Sequence, residues 1–150
     1  MLIEPNPTNV CFGCGGGNAR GMKLTFEQDD AARKIIGRFK LSAEYQGAFG
    51  IIHGGVIATV LDEVMGKVCR FRDVRAVTAE MNVQYLSPVW VDSDLVVEGY
   101  EKEMTGRNLY LVGEIKDASG KLLARSTGRF VVVDRTRQPK DGAAEQVSST

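Results

Sequence analysis

A chain of 150 residues with 43% hydrophobic and 25% charged residues suits one globular domain with a real core and leaves no room for a second. Nineteen basic residues balance nineteen acidic ones, which excludes the broad positive field of a general nucleic-acid binder; a phosphate-bearing ligand would be met by a few local cations. No run of about 18 apolar residues and no basic-then-apolar leader occurs, so no helical membrane span is expected and the cytoplasm is the default location.

Residues 1–21, rich in Pro, Gly and Asn, read as an irregular lead-in packed on the domain. They contain "CFGCG", and two thiolates at this spacing can grip one zinc ion. A third and fourth ligand would have to come from His53 and Cys69 or from another chain, so the plainer expectation is a small-residue turn and no metal or cofactor. Three cysteines, Cys11, Cys14 and Cys69, leave one unpaired in any scheme and argue against a secreted disulfide framework.

"MKLTFEQ" (22–28) alternates Met22, Leu24 and Phe26 with polar neighbours and predicts a strand. "RKIIGRFKLS" (33–42) predicts a second, with Gly37 marking a bulge. Residues 54–69 have helical length, and at about 100° per residue Val56, Val60, Val64, Ile57, Val68, Leu61, Met65, Ala58 and Cys69 form one wide apolar arc. "VRAVTAEMNVQYL" alternates Val77, Ala79, Met81, Val83 and Tyr85 with Thr78, Glu80, Asn82 and Gln84, a strand with one covered face. "DLVVEGYEKEM", "NLYLVGEIKD" and, after the turn "DASGK", "LLARSTGRFVVVD" predict a meander. One helix among antiparallel strands makes the fold class α+β, a long helix across one curved sheet. The domain spans 22–133, and 134–150 reads as a disordered tail.

The chemistry concentrates in "GIIHGGVIATVLDEVMG" (50–66). Glu63 falls on the polar side of the helix, four residues before Lys67, the spacing of a solvated ion pair. Asp62 falls at the edge of the apolar arc with no base three or four positions away; lost solvation there would raise its pKa and suit it as a base or nucleophile, or it is a structural acid bonded to a nearby loop. His53, Gly54 and Gly55 open the helix. Glycines admit a substrate close to the backbone, and free first-turn amides at the positive end of the helix suit a developing oxyanion, although the same residues also make an ordinary capped turn. Seven or eight residues separate these amides from Asp62, about 10–12 Å at 1.5 Å per residue. One carbonyl cannot contact both, so a catalytic reading needs two copies with antiparallel helices.

"HGGVIATVLDEVMG", with "VTAEMNVQYLSPV" after it and "CFGCGGGNARGMKLTF" before it, resembles the hotdog-fold acyl-CoA thioesterases of the phenylacetate-pathway (PaaI-like) type over residues 11–133. That resemblance implies a homodimer with one continuous sheet, further assembled in many members into a homotetramer, and sites shared between subunits. It implies Asp62 as general base or nucleophile, Gly54 as oxyanion donor through its amide, His53 as a shaper of that pocket, and Thr78 as a holder of the attacking water. Where such proteins commonly carry Asn or Gln six residues before the His, this chain has Gly47, and Gln46 one position earlier is the candidate. Gly55 would line the substrate, Arg107 in "TGRN" and more weakly Arg129 would meet the nucleotide end of CoA, and Tyr45, Phe49 and Met65 are candidate pocket walls. The implied reaction is hydrolysis of an acyl-CoA thioester to a free acid and CoA, without a metal. A noncatalytic acyl-CoA-binding protein and a hotdog hydratase-dehydratase are the other readings. A dehydratase usually places its acid only a few residues from a catalytic His, and the interval here is nine.

Overall fold

The computed structural model describes residues 1–133; the expected tail at 134–150 lies outside the described residues. Six strands, β1 (Glu27–Asp29), β2 (Lys34–Phe39), β3 (Ala76–Tyr85), β4 (Leu95–Thr105), β5 (Asn108–Asp117) and β6 (Leu122–Val132), form one antiparallel sheet in the order β1-β2-β4-β5-β6-β3. Among the described residues a single α-helix, α1 (Gly54–Val68), crosses it, and the chain leaves α1 through a 3-10 turn at Cys69–Arg72. The α+β expectation holds, including the β4-β5-β6 meander.

The helix packs through the arc that its sequence period defines. Ile57, Val60, Leu61, Val64, Met65 and Val68 are buried, each worth about 1.5–3 kcal/mol of burial. Three small residues in register make room for them: Gly99 of β4 pairs with Gly113 of β5, which pairs with Ser126 of β6. A Cβ on Gly99 would lie 2.7 Å from the Val64 carbonyl oxygen, and one on Gly113 would lie 3.2 Å from Met65 and Val64 side-chain atoms. The sheet can therefore wrap the helix closely. Gly99→Ala should destabilise the fold by about 1–3 kcal/mol, read as a lower denaturation midpoint at unchanged slope, because the obstructing atom is backbone and cannot rotate away.

Two local expectations are corrected. Gly37 pairs with Val97 in an unbroken register with β4 and marks no bulge; its missing side chain leaves space for Phe26 and Phe39, whose rings meet edge to face at 6.2 Å. The strand expected at 22–28 is reduced to Glu27–Asp29 as a sheet member, because the backbone before it bonds to the lead-in. Met22 N–H donates to Phe12 O, Leu24 N–H to Gly13 O, and Ile3 N–H to Phe26 O. Residues 1–21 are thus stitched to the domain by backbone bonds that carry no sequence signature.

β3 departs from simple alternation as well. A bulge between Thr78 and Glu80 shifts its phase, so Ala76 and Thr78 share a face with Met81, Val83 and Tyr85. Val77 and Ala79, expected on the covered face, are turned away and exposed. One extra residue in a strand reverses every side chain beyond it, and here the reversal points Thr78 at the helix. β3 is also the sheet's last strand, and Val77, Tyr85 and the following Leu86 are each more than half exposed.

The exit from α1 is pinned by Arg72, whose guanidinium donates two hydrogen bonds to Glu101 of β4, at 2.9 and 2.8 Å. That hydrogen bonding holds the Glu101 carboxyl below its ordinary range. A depressed folded-state pKa contributes stability above the unfolded value, about 4.3, and that contribution is lost as pH falls through the folded value. Glu101→Gln should therefore melt below the wild type at pH 7 and approach it once the pH drops beneath the carboxylate range.

Candidate active site

The helix opens on His53, the N-cap, at φ −56° and ψ 133°, near the polyproline-II conformation. Its Nδ1 accepts the Gly55 N–H at 2.8 Å, and its carbonyl oxygen accepts from Val56 and Ile57 at 3.0 and 3.1 Å. Accepting at Nδ1 places the ring proton on Nε2 in a neutral imidazole. Ile57 makes the first regular helical bond, and of the four orphan amides of the helix start Gly55 and Val56 are satisfied by His53, and His53 itself by Tyr45 O. Among the described residues, the Gly54 N–H has no acceptor. Gly55 and Gly54 are both exposed, yet only the Gly54 amide is uncommitted.

The loop ahead folds back on this turn. His53 N–H donates to Tyr45 O at 2.8 Å, Gly47 N–H to Ile51 O at 2.8 Å, and Ile51 N–H to Ala48 O at 2.9 Å. Gly47 lies against His53, where a Cβ would stand 3.3 Å from the His53 Cα. Gln46 is next to that position, with its side-chain oxygen accepting the Gly50 N–H at 3.2 Å. Phe49, at the tip, is 99% exposed with a φ of 31°.

Two turns along α1, the bulged stretch of β3 meets the helix. Thr78 Oγ1 donates to Asp62 Oδ1 at 2.6 Å. Asp62 is half-buried and lines a cleft of about 340 Å³ with Glu63, Gly66, Lys67, Ala76, Val77, Thr78 and Phe130. Tyr85, at the far end of β3, donates its hydroxyl to Gly54 O at 2.8 Å. β3 thus runs along the helix from acid to amide. The Tyr85 contact was missed in sequence, where the residue reads only as an apolar strand position; its place at the strand's end, beside a glycine-rich helix start, carries no pattern of its own.

The remaining candidates fall elsewhere. Arg107 is exposed in the turn between β4 and β5, with its carbonyl oxygen accepting from Val132 at 2.8 Å. The register Thr78–Phe130–Leu109 brings that turn to the same end of the sheet as Thr78. Arg129 is engaged, donating to Glu80 at 3.4 Å and to Asn108 Oδ1 at 3.2 Å. Met65 is fully buried in the core. Glu63 and Lys67 form no ion pair with each other among the described residues. The lead-in covers them instead, so Glu63 accepts from the Cys11 thiol and Lys67 reaches Cys14.

Residues 49–124, from the tip of the loop before α1 into β6, match the sequence model of the thioesterase superfamily. The chain belongs to that superfamily. Acyl-coenzyme A thioesterase 13 of Homo sapiens is 32% identical over 99 residues, covering 63% of this chain and 70% of the relative. Acyl-coenzyme A thioesterase THEM4 of Rattus norvegicus is 30% identical over 115 residues, 76% of this chain and 50% of the relative, so the chain spans about half the length of that protein. A crystal structure of a thioesterase superfamily protein superposes with a TM-score of 0.73 at 29% identity, covering 78% of this chain and 57% of that one. The E. coli PaaI protein from the phenylacetic acid degradation operon shares the fold, with a TM-score of 0.64 at 16% identity over 68% of this chain and 74% of that one. The hotdog fold expected from the sequence is therefore shown. No helix among the described residues is long and apolar enough to cross a membrane.

Proposed function

We propose that this superfamily member hydrolyses acyl-CoA thioesters, with Asp62 as general base and the Gly54 amide as oxyanion donor, the two supplied to each site by different copies of the chain. The observation that carries this is the pairing of a half-buried carboxylate, oriented by Thr78, with a helix-start amide that has no acceptor among the described residues. With Oδ1 held by Thr78, Asp62 keeps Oδ2 to take a proton from water directed at the thioester carbon. The charge that develops on the carbonyl oxygen then meets the Gly54 N–H and the positive end of α1. Direct attack by Asp62 on the thioester carbon, giving a mixed anhydride that water then opens, is the second route the same carboxylate offers.

Eight residues of α1 put Gly54 and Asp62 about 12 Å apart within one chain. The outer edge of β3, with Val77, Tyr85 and Leu86 exposed beside it, supports a homodimer in which two β3 strands pair and two helices run antiparallel. Such pairing would bring the amide of one copy toward the acid of the other, and a homotetramer would be a pair of such dimers. His53 fixes the helix-start turn, Gly55 leaves the approach open, and Gln46 stands at the loop edge to orient the acyl group. Arg107 is our candidate for the nucleotide phosphates. The three free cysteines support a reducing compartment such as the cytoplasm.

The test is a panel of aryl-, short- and medium-chain acyl-CoAs with a free-thiol readout, run beside a hydration assay on an enoyl-CoA. Thiol release is the expected result. Hydration without thiol release would establish the hydratase-dehydratase alternative, and binding with neither reaction would establish a noncatalytic acyl-CoA-binding protein.

A further inference from the structure

Beside the Asp62 cleft lies a second group of side chains that thioester hydrolysis does not use. Cys11 Sγ is 3.3 Å from Glu63 Oε1, and Lys67 Nζ is 3.2 Å from Cys14 Sγ. One ligand atom from each of Cys11, Cys14 and Glu63 lies within 4.8 Å of the others, all half-buried. The zinc reading of "CFGCG" looked to His53 and Cys69 or to another chain for its remaining ligands, and neither His53 nor Cys69 takes part. His53 is ten residues before Glu63 on the same rod, about 15 Å away, and Cys69 is buried in the core. Glu63, on the helix face that the lead-in covers, offers the third ligand atom instead.

We infer that Cys11, Cys14 and Glu63 bind one thiophilic divalent cation of the zinc type, clamping the lead-in to α1 one residue after Asp62, with water in the fourth position. Tetrahedral zinc, with Zn–S of about 2.3 Å and Zn–O of about 2.0–2.2 Å, separates sulfur from oxygen by about 3.6 Å and two sulfurs by about 3.8 Å. The Cys11–Glu63 spacing needs only a few tenths of an ångström of adjustment, and the remaining pairs start within 4.8 Å. The ligand loop is already shaped: Cys11 N–H donates to Asn9 Oδ1, Gly15 N–H to Cys11 O, and Leu24 N–H to Gly13 O. Gly13, between the two thiols, is the residue this approach requires, since a Cβ there would stand 2.4 Å from Glu63 Cγ.

Charge points the same way. Two thiolates and a carboxylate carry three negative charges, Lys67 returns one, and a divalent cation brings the sum to zero. Metal binding would displace both thiol protons to solvent while the carboxylate oxygen joins the ion.

The experiment uses the full chain, reduced and stripped with a chelator, then dialysed against zinc sulfate and analysed by elemental mass spectrometry. About one zinc per chain should be retained. Cys11→Ser and Glu63→Gln should each weaken affinity by at least about 10–100-fold, and Cys69→Ser should leave it unchanged. Cobalt(II) in place of zinc should give a thiolate-to-metal charge-transfer absorption, a readout independent of activity. A folded wild type that shows no such band, or retains no more zinc than a Cys11→Ser/Cys14→Ser double variant, overturns the proposal, as does loss of zinc on Cys69→Ser alone.

Discussion

Asp62→Asn should lower kcat/KM for thioester hydrolysis by about 10²–10⁴-fold, with the melting temperature and the Kd for acyl-CoA close to those of the wild type. Asparagine keeps Oδ1, so the hydrogen bond from Thr78 survives and β3 stays seated on α1. What is lost is the second carboxylate oxygen's capacity to accept a proton. In barrier terms that is about 2.7–5.5 kcal/mol, far above the cost of exchanging one oxygen for an amide at a half-buried position. A variant that retains more than a tenth of wild-type turnover would remove Asp62 from the chemistry. Equal losses in turnover and in folded fraction would recast it as a structural acid bonded to its neighbouring strand.

Gly54→Pro is the sharper test of the oxyanion donor. Proline at the first position of a helix removes only an N–H that the helix itself does not use, and its φ near −65° is already helical. It also requires the preceding residue to be extended, and His53, at φ −56° and ψ 133°, already is. The variant should therefore fold, yet lose about 10²–10³-fold in kcat, the effect of deleting one oxyanion-hole donor. Gly54→Ala keeps the N–H, and its added Cβ would sit at an ordinary 3.5 Å from the Tyr85 ring; it should remain within a few-fold of wild type. Similar activity in the proline and alanine variants would exclude the Gly54 amide.

The two variants together test whether sites are shared. In a hybrid dimer of Asp62→Asn with Gly54→Pro, one site carries both lesions and the other neither. Random mixing makes half the dimers hybrid with one intact site of two, so about a quarter of wild-type activity should return. If acid and amide of one chain served the same site, mixing would return nothing.

Much of this could be read along the chain before any coordinates. The helix and its buried arc follow from a 3.6-residue period that places Ile57, Leu61, Val64 and Val68 on one side wherever the helix docks. The strands of the meander follow from turn residues and alternating apolar positions, and β5 falls on the residues expected of it. Asp62 stands out because an acid at the edge of an apolar arc is locally anomalous, and Gly54 because a glycine pair opens the helix. Each of these signals lies within a few residues of sequence, which is why it was legible.

Contacts that join distant segments were not. Glu63, four residues before Lys67, has the local spacing of a surface ion pair, but a segment 52 residues away covers it, and both partners turn to cysteines. Thr78 has the alternation of an outward-facing residue, and one bulge reverses it.

The sequence by itself determined the helix, its apolar side, the strand succession and the residue types available for chemistry, because periodicity and turn propensity act over a handful of neighbours. Only the tertiary structure decided that Thr78 faces Asp62, that Gly54 alone among the first-turn amides lacks a partner among the described residues, and that two thiols converge on Glu63. Those outcomes depend on strand register and on loop packing, which are set by the energy of the whole fold and not by any one stretch of it.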